Sequence, residues 1–218
     1  MKARLIALAV LAALGLGIGY AAGKYELYLI HKAQDKNKPG PVVRLVGPDG
    51  MTHCSGTVVN DYTIITAAHC VLIPSMFGGM SMNTTPIEIR GDDDLPRDTY
   101  AQAYYAQPQV DTALMHGNFA GYRHSEYITD VKRLNALAVA KNKFTACGYP
   151  LGGHLYCNDL VFKTLDNFMW RVDGLLLPGM SGGPVYLDDN TVVAVNVAVD
   201  GPNSIISPIY NLSDRFQK

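Results

Sequence analysis

Beyond residue 41, short runs of apolar and β-branched residues alternate with turn-forming residues. The clearest runs occupy residues 42–46, 57–59, 62–66, 160–162 and 191–199. Turn residues separate such runs at 47–50, 60–61 and 187–190. Many short strands at this spacing predict an all-β barrel or sandwich. Only residues 127–140 favour a helical or irregular connector.

The N-terminal residues 1–23 follow a different pattern. Two basic residues precede an uncharged, apolar run over 5–23, which ends in small residues, as in a secretory signal. The run is also nearly as long as the roughly 20 residues that span a bilayer. Tyr20 stands where signal cleavage favours a small residue, so a cleaved signal peptide and an uncleaved membrane anchor both remain open. Residues 24–40 read as a Lys-rich tether.

Composition and charge exclude several classes of protein. Of 218 residues, 48% are apolar and 17% are charged, so the chain will collapse into a core rather than stay disordered. The length suffices for one large domain or two small ones. Basic and acidic residues nearly cancel, giving a formal charge of -1. This balance argues against a nucleic-acid partner, which favours a strongly basic domain.

The chain has four cysteines, an even number behind an export signal, which favours disulfides. Zinc is the alternative, since His53-Cys54 and His69-Cys70 are two neighbouring His/Cys pairs. Structural zinc sites usually space their close ligands by two to four residues, not as neighbours. We therefore predict disulfides and no metal.

Three further segments carry specific chemistry. They are Cys-Ser-Gly-Thr-Val-Val at 54–59 followed by Thr-Ala-Ala-His-Cys at 66–70, Val-Asp-Thr-Ala-Leu-Met at 110–115, and Pro-Gly-Met-Ser-Gly-Gly-Pro at 178–184. In chain order they contain His69, Asp111 and Ser181. Together these motifs resemble the chymotrypsin-like serine proteases over residues 41 to about 210, and the bacterial members more than the digestive ones.

The chemistry of these residue types agrees with the resemblance. A serine hydroxyl is a weak nucleophile that needs a positioned base to remove its proton. His69 suits this role because an unperturbed imidazole titrates near pH 6.5. A buried carboxylate must hold the ring in one tautomer, and Asp111 would do this. The resemblance therefore implies a catalytic triad of His69, Asp111 and Ser181.

The carboxylate has a rival in the sequence. Asp130 is followed by Val131 but then by two basic residues, whereas Asp111 precedes the apolar run 113–115, which is typical of a buried strand. The acidic residues of 92–98 lie in a polar segment and read as a solvated loop. We predict that Asp111 is the third triad member.

The resemblance also implies where the oxyanion hole and the disulfides lie. Backbone N–H groups of Gly179 and Ser181 would point into one hole, because the surrounding glycines permit a sharp turn. Cys54 and Cys70 bracket the His69 segment as the family's disulfide does. The spacing of Cys147 and Cys157, around a glycine-rich hairpin-like segment, leads us to infer a second, cross-strand bridge.

The architecture that the resemblance implies is two six-stranded antiparallel β-barrels with the active site in the cleft between them. We expect the first barrel over 41–120, a connector over 121–138 and the second barrel over 139–218. An N-terminal apolar helix would precede the tether.

A primary substrate pocket is predicted by position relative to the nucleophile. In this family the residue six before the serine often lies at the pocket base, which here is Leu175, followed by Leu176. Asn196 and Val197 are expected in a wall. An apolar base offers no partner for Arg or Lys, and burying an unpaired charge is costly. None of residues 174–177 is acidic, and Asp173 is the nearest acid. We therefore predict cleavage after small or medium apolar residues.

Activation should differ from that of the digestive relatives. Their oxyanion hole forms when a newly cut N-terminal amine pairs with an Asp just before the nucleophile. Met180 stands at that position here and cannot accept an ammonium ion. We expect activity without a defined N-terminal cut.

These patterns predict an exported serine endopeptidase that acts through an acyl-enzyme and needs no cofactor. It would be periplasmic, extracellular or anchored to a membrane through residues 5–23, and its partners would be protein or peptide substrates. A catalytically silent, protease-like binding module and an esterase on the same fold are the alternatives.

Overall fold

The computed structural model describes residues 42–76, 78–91, 99–121, 123–141, 143–187, 191–210 and 212–216. The predicted leader, the apolar helix and the tether of residues 1–40 lie outside the described residues. Within those ranges, no helix is long and apolar enough to cross a membrane.

The first barrel closes from six antiparallel strands in the order β1-β2-β3-β8-β7-β6. These are β1 (Val42–Val46), β2 (Thr52–Asn60), β3 (Thr63–Thr66), β6 (Ile87–Arg90), β7 (Thr99–Gln107) and β8 (Thr112–Gly117). A separate hairpin pairs β4 (Leu72–Pro74) with β5 (Met80–Met82). Alternation along the strands places one face of each in the barrel core, where Val58, Ile64 and Met115 are fully buried.

The second barrel closes in the order β10-β11-β14-β13-β12-β9, again antiparallel throughout. Its strands are β9 (Lys143–Gly148), β10 (Tyr156–Asp166), β11 (Met169–Asp173), β12 (Pro184–Tyr186), β13 (Val192–Asp200) and β14 (Asn203–Pro208). Its core is built around the fully buried Trp170, which contacts the rings of Phe144 and Phe162. Burying a large apolar side chain contributes roughly 1.5–3 kcal/mol.

The prediction of an all-β chain with two six-stranded barrels is confirmed. One helix, α1 (Val131–Lys141), lies between the barrels in the chain, in the segment where the sequence favoured a connector. An apolar cluster also joins the barrels. It contains Ile65 and Leu114 from the first and Tyr149 and Val195 from the second.

Both inferred disulfides are present, Cys54–Cys70 and Cys147–Cys157. The second joins directly opposed residues of β9 and β10, as the hairpin spacing predicted. The first joins β2 to the turn after β3. Two disulfides in a chain of this size are typical of an oxidising compartment outside the cytosol.

Candidate active site

His69 lies on a short turn directly after the buried strand β3. The 3₁₀ turn Ala68–Cys70 is closed by hydrogen bonds from the N–H groups of Cys70 and Val71 to Ala67 O and Ala68 O. Ala67 and Ala68 are fully buried, so only small side chains fit there. The tight packing fixes the backbone, while the ring of His69 remains about half exposed.

Asp111 follows a second 3₁₀ turn, Pro108–Val110, and directly precedes β8. Its backbone is left-handed, with φ 47°, a conformation that is strained for a residue with a side chain. Such strain persists where the surroundings enforce it, and it is common at functional sites. Here the residue after Asp111 begins the buried strand β8. The residue before it, Val110, accepts a hydrogen bond at its carbonyl from Ser207 of the second barrel.

The carboxylate of Asp111 contacts His69 twice. His69 Nδ1 lies 2.7 Å from Oδ2, and the backbone N–H of His69 donates to Oδ1 at 2.8 Å. A carboxylate only accepts hydrogen bonds, so Nδ1 is the donor in this contact, and a neutral ring in this tautomer has its free lone pair on Nε2. The structure thus brings His69 and Asp111 together in an arrangement that leaves Nε2 as a base.

Asp130 has a different environment. Its Oδ1 accepts a hydrogen bond from the N–H of Arg133 at 2.7 Å, and its backbone carbonyl accepts from Leu134. These contacts identify Asp130 as the N-cap of α1. Helix capping accounts for an aspartate at position 130, which the sequence offered as an alternative to Asp111 for the third triad member.

Ser181 lies on the loop that precedes β12 and is packed against the first barrel. The N–H of Ser55 in β2 donates to Ser181 O at 2.7 Å, and Cys70 Sγ lies 3.7 Å from the same oxygen. Gly182 has φ 78°, and an added Cβ would stand 2.1 Å from Thr66 Oγ1. A glycine is therefore required for the loop to reach the turn that carries His69.

The hydroxyl of Ser181 points toward the second barrel in this structure. It donates to Val197 O at 3.2 Å. In the described part of the chain it makes no hydrogen bond with the ring of His69. The structure thus places the loop of Ser181 beside the turn of His69 without joining the two side chains.

Gly179 also occupies a position that excludes a side chain. Its φ is 93°, and an added Cβ would lie 2.6 Å from Tyr149 O and 2.9 Å from Leu151 N. Among the described residues, neither the N–H of Gly179 nor that of Ser181 has a hydrogen-bond acceptor. Two unpaired amides two residues apart agree with the predicted hole, which remains a prediction.

A cavity of about 270 Å³ opens beside Ser181. The lining includes three predicted pocket residues and several apolar neighbours: Leu176, Leu177, Pro178, Asn196, Val197 and Val199. Leu175, which was expected at the base of the pocket, is not among the lining residues and is 54% exposed. Asp173 also stays outside the cavity lining and pairs with Lys163 Nζ at 3.2 Å.

One closely spaced group of metal-ligand types occurs among the described residues, Cys54, His69 and Cys70. The two sulfurs are bonded to each other in the disulfide. Metal ligation by cysteine needs thiolates, so this group offers no metal site while the bridge is intact.

A family model described as the trypsin-like peptidase domain matches residues 54–195. The match includes His69, Asp111 and Ser181 and most of both barrels. Among curated proteins, no relative matches the chain.

Solved protease structures share the fold. The Rv3671c protease from M. tuberculosis in its active form has a TM-score of 0.55 at 16% identity, covering 81% of this chain and 78% of that one. The serine endoprotease from Yersinia pestis has a TM-score of 0.59 at 15% identity, covering 82% of this chain but only 62% of that one. The HtrA-type protease AlgW with decapeptide has a TM-score of 0.54 at 15% identity, covering 72% and 48%. This chain thus spans about three-fifths of the length of the Yersinia pestis endoprotease and about half of the length of AlgW.

Proposed function

Because this chain belongs to the trypsin-like peptidase domain family, we propose that it is a serine endopeptidase that cleaves peptide bonds through an acyl-enzyme. The observation that carries the proposal is the pairing of His69 with Asp111 beside the glycine-flanked Ser181. With Nδ1 donating to Asp111 at 2.7 Å, a neutral ring would present Nε2 as a base on the side away from the carboxylate. A base so oriented is what a serine nucleophile requires.

In the proposed reaction, Ser181 Oγ attacks the substrate carbonyl while Nε2 of His69 takes its proton. Asp111 holds the ring and stabilises the imidazolium that forms. The imidazolium then gives the proton to the leaving amine, which releases the first product and leaves an acyl group on Ser181. A water molecule, deprotonated by the same ring, hydrolyses this ester and frees the second product.

This mechanism requires a small movement of the nucleophile. The hydroxyl of Ser181 must rotate about χ1 from Val197 O toward His69. The bond to Val197 O is a neutral hydrogen bond of 3.2 Å, longer than the usual O–H···O distance. Catalytic hydrogen bonds often tighten only when substrate is bound. We propose that substrate displaces this bond.

The cavity beside Ser181 supports cleavage after small or medium apolar residues. Its lining is mainly aliphatic, and the nearest acid, Asp173, already pairs with Lys163 outside it. A substrate Arg or Lys would therefore lose its hydration without gaining a partner. We propose that Leu176 and Val197 contact the substrate side chain before the cleaved bond. Faster hydrolysis of Arg peptides than of Leu or Ala peptides would contradict this.

The substrate is proposed to be a protein or peptide in an oxidising compartment. A decapeptide is bound in the AlgW structure, which has the same fold. The two disulfides favour export to the periplasm or beyond, with residues 1–23 as signal peptide or anchor.

Labelling with a fluorophosphonate tests the proposal directly. We expect one adduct, mapped by mass to Ser181, in a preparation that also hydrolyses casein. Ser181→Ala should lose both reactions, by several orders of magnitude in kcat, and keep its melting temperature. The exposed Ser81→Ala serves as the control and should retain both. Labelling without hydrolysis of casein but with hydrolysis of p-nitrophenyl acetate would favour an esterase, and no labelling would favour a silent binding module.

A further inference from the structure

The loop that carries the nucleophile is held by its backbone carbonyls, four of which in succession accept hydrogen bonds. The donors are Leu151 N–H to Pro178 O (2.9 Å), Ser55 Oγ–H to Gly179 O (2.8 Å), Gly183 N–H to Met180 O (2.9 Å) and Ser55 N–H to Ser181 O (2.7 Å). Asn196 Nδ2 adds a second bond to Met180 O at 3.2 Å. Each peptide unit of the loop is thus fixed in turn.

Holding a carbonyl also orients the next N–H. A trans peptide is planar, so its C=O and N–H groups point in opposite directions. The bond to Pro178 O therefore orients the N–H of Gly179, and the bonds to Met180 O orient the N–H of Ser181. These are the two amides proposed for the oxyanion hole. In the described ranges these two amides have no acceptor, so both are available to bind an oxyanion.

Ser55 holds the peptide unit between these two. Its side chain is fully buried in β2. The hydroxyl donates to Gly179 O and accepts from the N–H of Tyr149 at 2.9 Å, and the backbone N–H of the same residue binds Ser181 O. One residue of the first barrel thus contacts the loop on both sides of Met180. Without the hydroxyl, the Gly179–Met180 peptide keeps only the bond from Met180 N–H to Leu177 O at 3.0 Å, so it can tilt about that bond and displace the neighbouring amides.

Met180 itself offers no alternative means of ordering the loop through charge. Its side chain is fully buried in the apolar core of the second barrel and stands against Gly148. A buried thioether cannot pair with an N-terminal ammonium group. The contacts of Ser55 instead hold the two residues that flank Met180.

We propose that Ser55 is a positioning residue that keeps the oxyanion hole formed in the uncut chain, an inference that rests on the proposed peptidase function. Ser55 touches no reacting atom. It acts through Gly179 and Ser181, whose amides stabilise the developing oxyanion. Its loss should lower the rate of the chemical step and leave substrate binding unchanged.

Kinetics of the full-length chain test this role. Ser55→Ala is compared with Ser125→Ala, which removes another buried hydroxyl. The hydroxyl of Ser125 contacts the side chains of Thr57 and Tyr186 and, in the part of the chain that the structure describes, makes no hydrogen bond with the loop of Ser181. The probes are a peptide p-nitroanilide with Leu before the cleaved bond and the peptide aldehyde of the same sequence. We expect Ser55→Ala to lower kcat about 10- to 100-fold, because small displacements of catalytic groups have effects of this size.

The KM should stay within threefold, and affinity for the aldehyde should fall in proportion to kcat, since the hemiacetal oxygen occupies the hole. Ser55→Thr, which keeps the hydroxyl, should regain most of the kcat. If Ser55→Ala does not fold, Ser55→Val replaces it with the same expectation, because valine favours strands and has the shape of threonine without its hydroxyl. A kcat within threefold of that of Ser125→Ala, or a rise in KM alone, would overturn the proposal.

The unmodified chain separates this test from the test of function. Failure of the wild type to label or to hydrolyse any probe would refute the peptidase assignment. An active, uncut wild type with an equally active Ser55→Ala would refute only the role of Ser55. An intact mass of the labelled chain establishes that no N-terminal cut preceded the reaction.

Discussion

In the first barrel a side chain positions the candidate catalytic histidine, whereas in the second barrel hydrogen bonds to backbone atoms position the loop of the candidate nucleophile. In the first, a single carboxylate contacts both the ring and the backbone of His69. In the second, the loop of Ser181 is fixed by bonds to successive carbonyls, and Gly182 is too close to its neighbours to carry a Cβ.

This difference determines how each half should respond to substitution. A side-chain pair concentrates its function in a few polar atoms, which can be altered while the surrounding strand stays packed. A backbone-held loop depends on space and on many hydrogen bonds, so changes there disturb folding together with chemistry. Activity and stability should therefore separate for the side-chain pair of the first barrel and for the Ser181 hydroxyl, and fall together where the backbone of the nucleophile loop is altered.

The largest difference between loss of activity and loss of stability is expected from Asp111→Asn, in the first barrel. The asparagine amide has one oxygen and one NH₂ group, so it cannot accept from both the backbone N–H and Nδ1 of His69. The ring should then carry its proton on Nε2 instead of Nδ1, and kcat should fall about 10⁴-fold. The melting temperature should change little. Casein hydrolysis and thermal unfolding measure the two properties.

Asp130→Asn is the matched control, because asparagine caps a helix about as well as aspartate. It should retain full activity. If Asp130→Asn were the more damaging of the two, the third triad member would be Asp130.

A smaller effect, on stability, is expected from Gly182→Ala in the second barrel. The new Cβ would lie 2.1 Å from Thr66 Oγ1 and 2.4 Å from Ser55 O, at a φ of 78°. We expect the free energy of unfolding to fall by about 2–5 kcal/mol, from overpacking and left-handed strain combined. Urea unfolding measures this loss, and kcat should fall with it.

Gly201→Ala separates the two causes, since Gly201 has φ 59° and nothing within 4 Å of an added Cβ. Strain alone should cost about 1–2 kcal/mol there. Equal losses in the two variants would show that close packing does not hold the nucleophile loop.

The smallest effect concerns a buried hydroxyl cluster that links the barrels. Tyr186 of β12 contacts Ser125, which contacts Thr57 of β2, and burial raises the pKa of Tyr186 to about 12. The unfolded chain loses this phenol proton near pH 10, whereas the folded chain retains it. Its contribution to stability is therefore present below pH 10 and is lost as pH rises through about 12, at up to about 1.4 kcal/mol per pH unit.

Tyr186→Phe removes this titration. It should be less stable than the wild type by about 1 kcal/mol at pH 7, from the lost hydrogen bond. Its urea unfolding free energy should then decline less steeply between pH 10 and 11. Parallel curves for the two proteins would mean that Tyr186 ionises in the folded state as readily as in the unfolded one.

Much of the fold could be predicted because its signals are local. The apolar run Val42–Val46 is β1 residue for residue, and the spacing of Cys147 and Cys157 matched two opposed positions of a hairpin. Short β-rich runs and turn residues act over a few neighbours, and a pattern of side chains expresses them directly. The two six-stranded barrels followed from the motifs at His69 and Ser181 rather than from periodicity.

Other features depend on atoms that are far apart in sequence. Leu175 was expected at the base of the pocket, yet it is half exposed and lies outside the cavity lining. The hydroxyl of Ser181 contacts Val197 O rather than His69. Position relative to a motif gives the order of residues along the chain but not the direction in which each side chain points.

Local patterns and short motifs were enough to predict the all-β class, the residue types of the candidate triad and both disulfides, because a few adjacent residues complete each of these signals. The contact of Ser55 with Gly179 joins residues 124 positions apart, and no pattern along the chain predicts it. The physical reason is that a hydrogen bond forms only where donor and acceptor meet within about 3 Å and in line. That condition is set by how the two barrels pack.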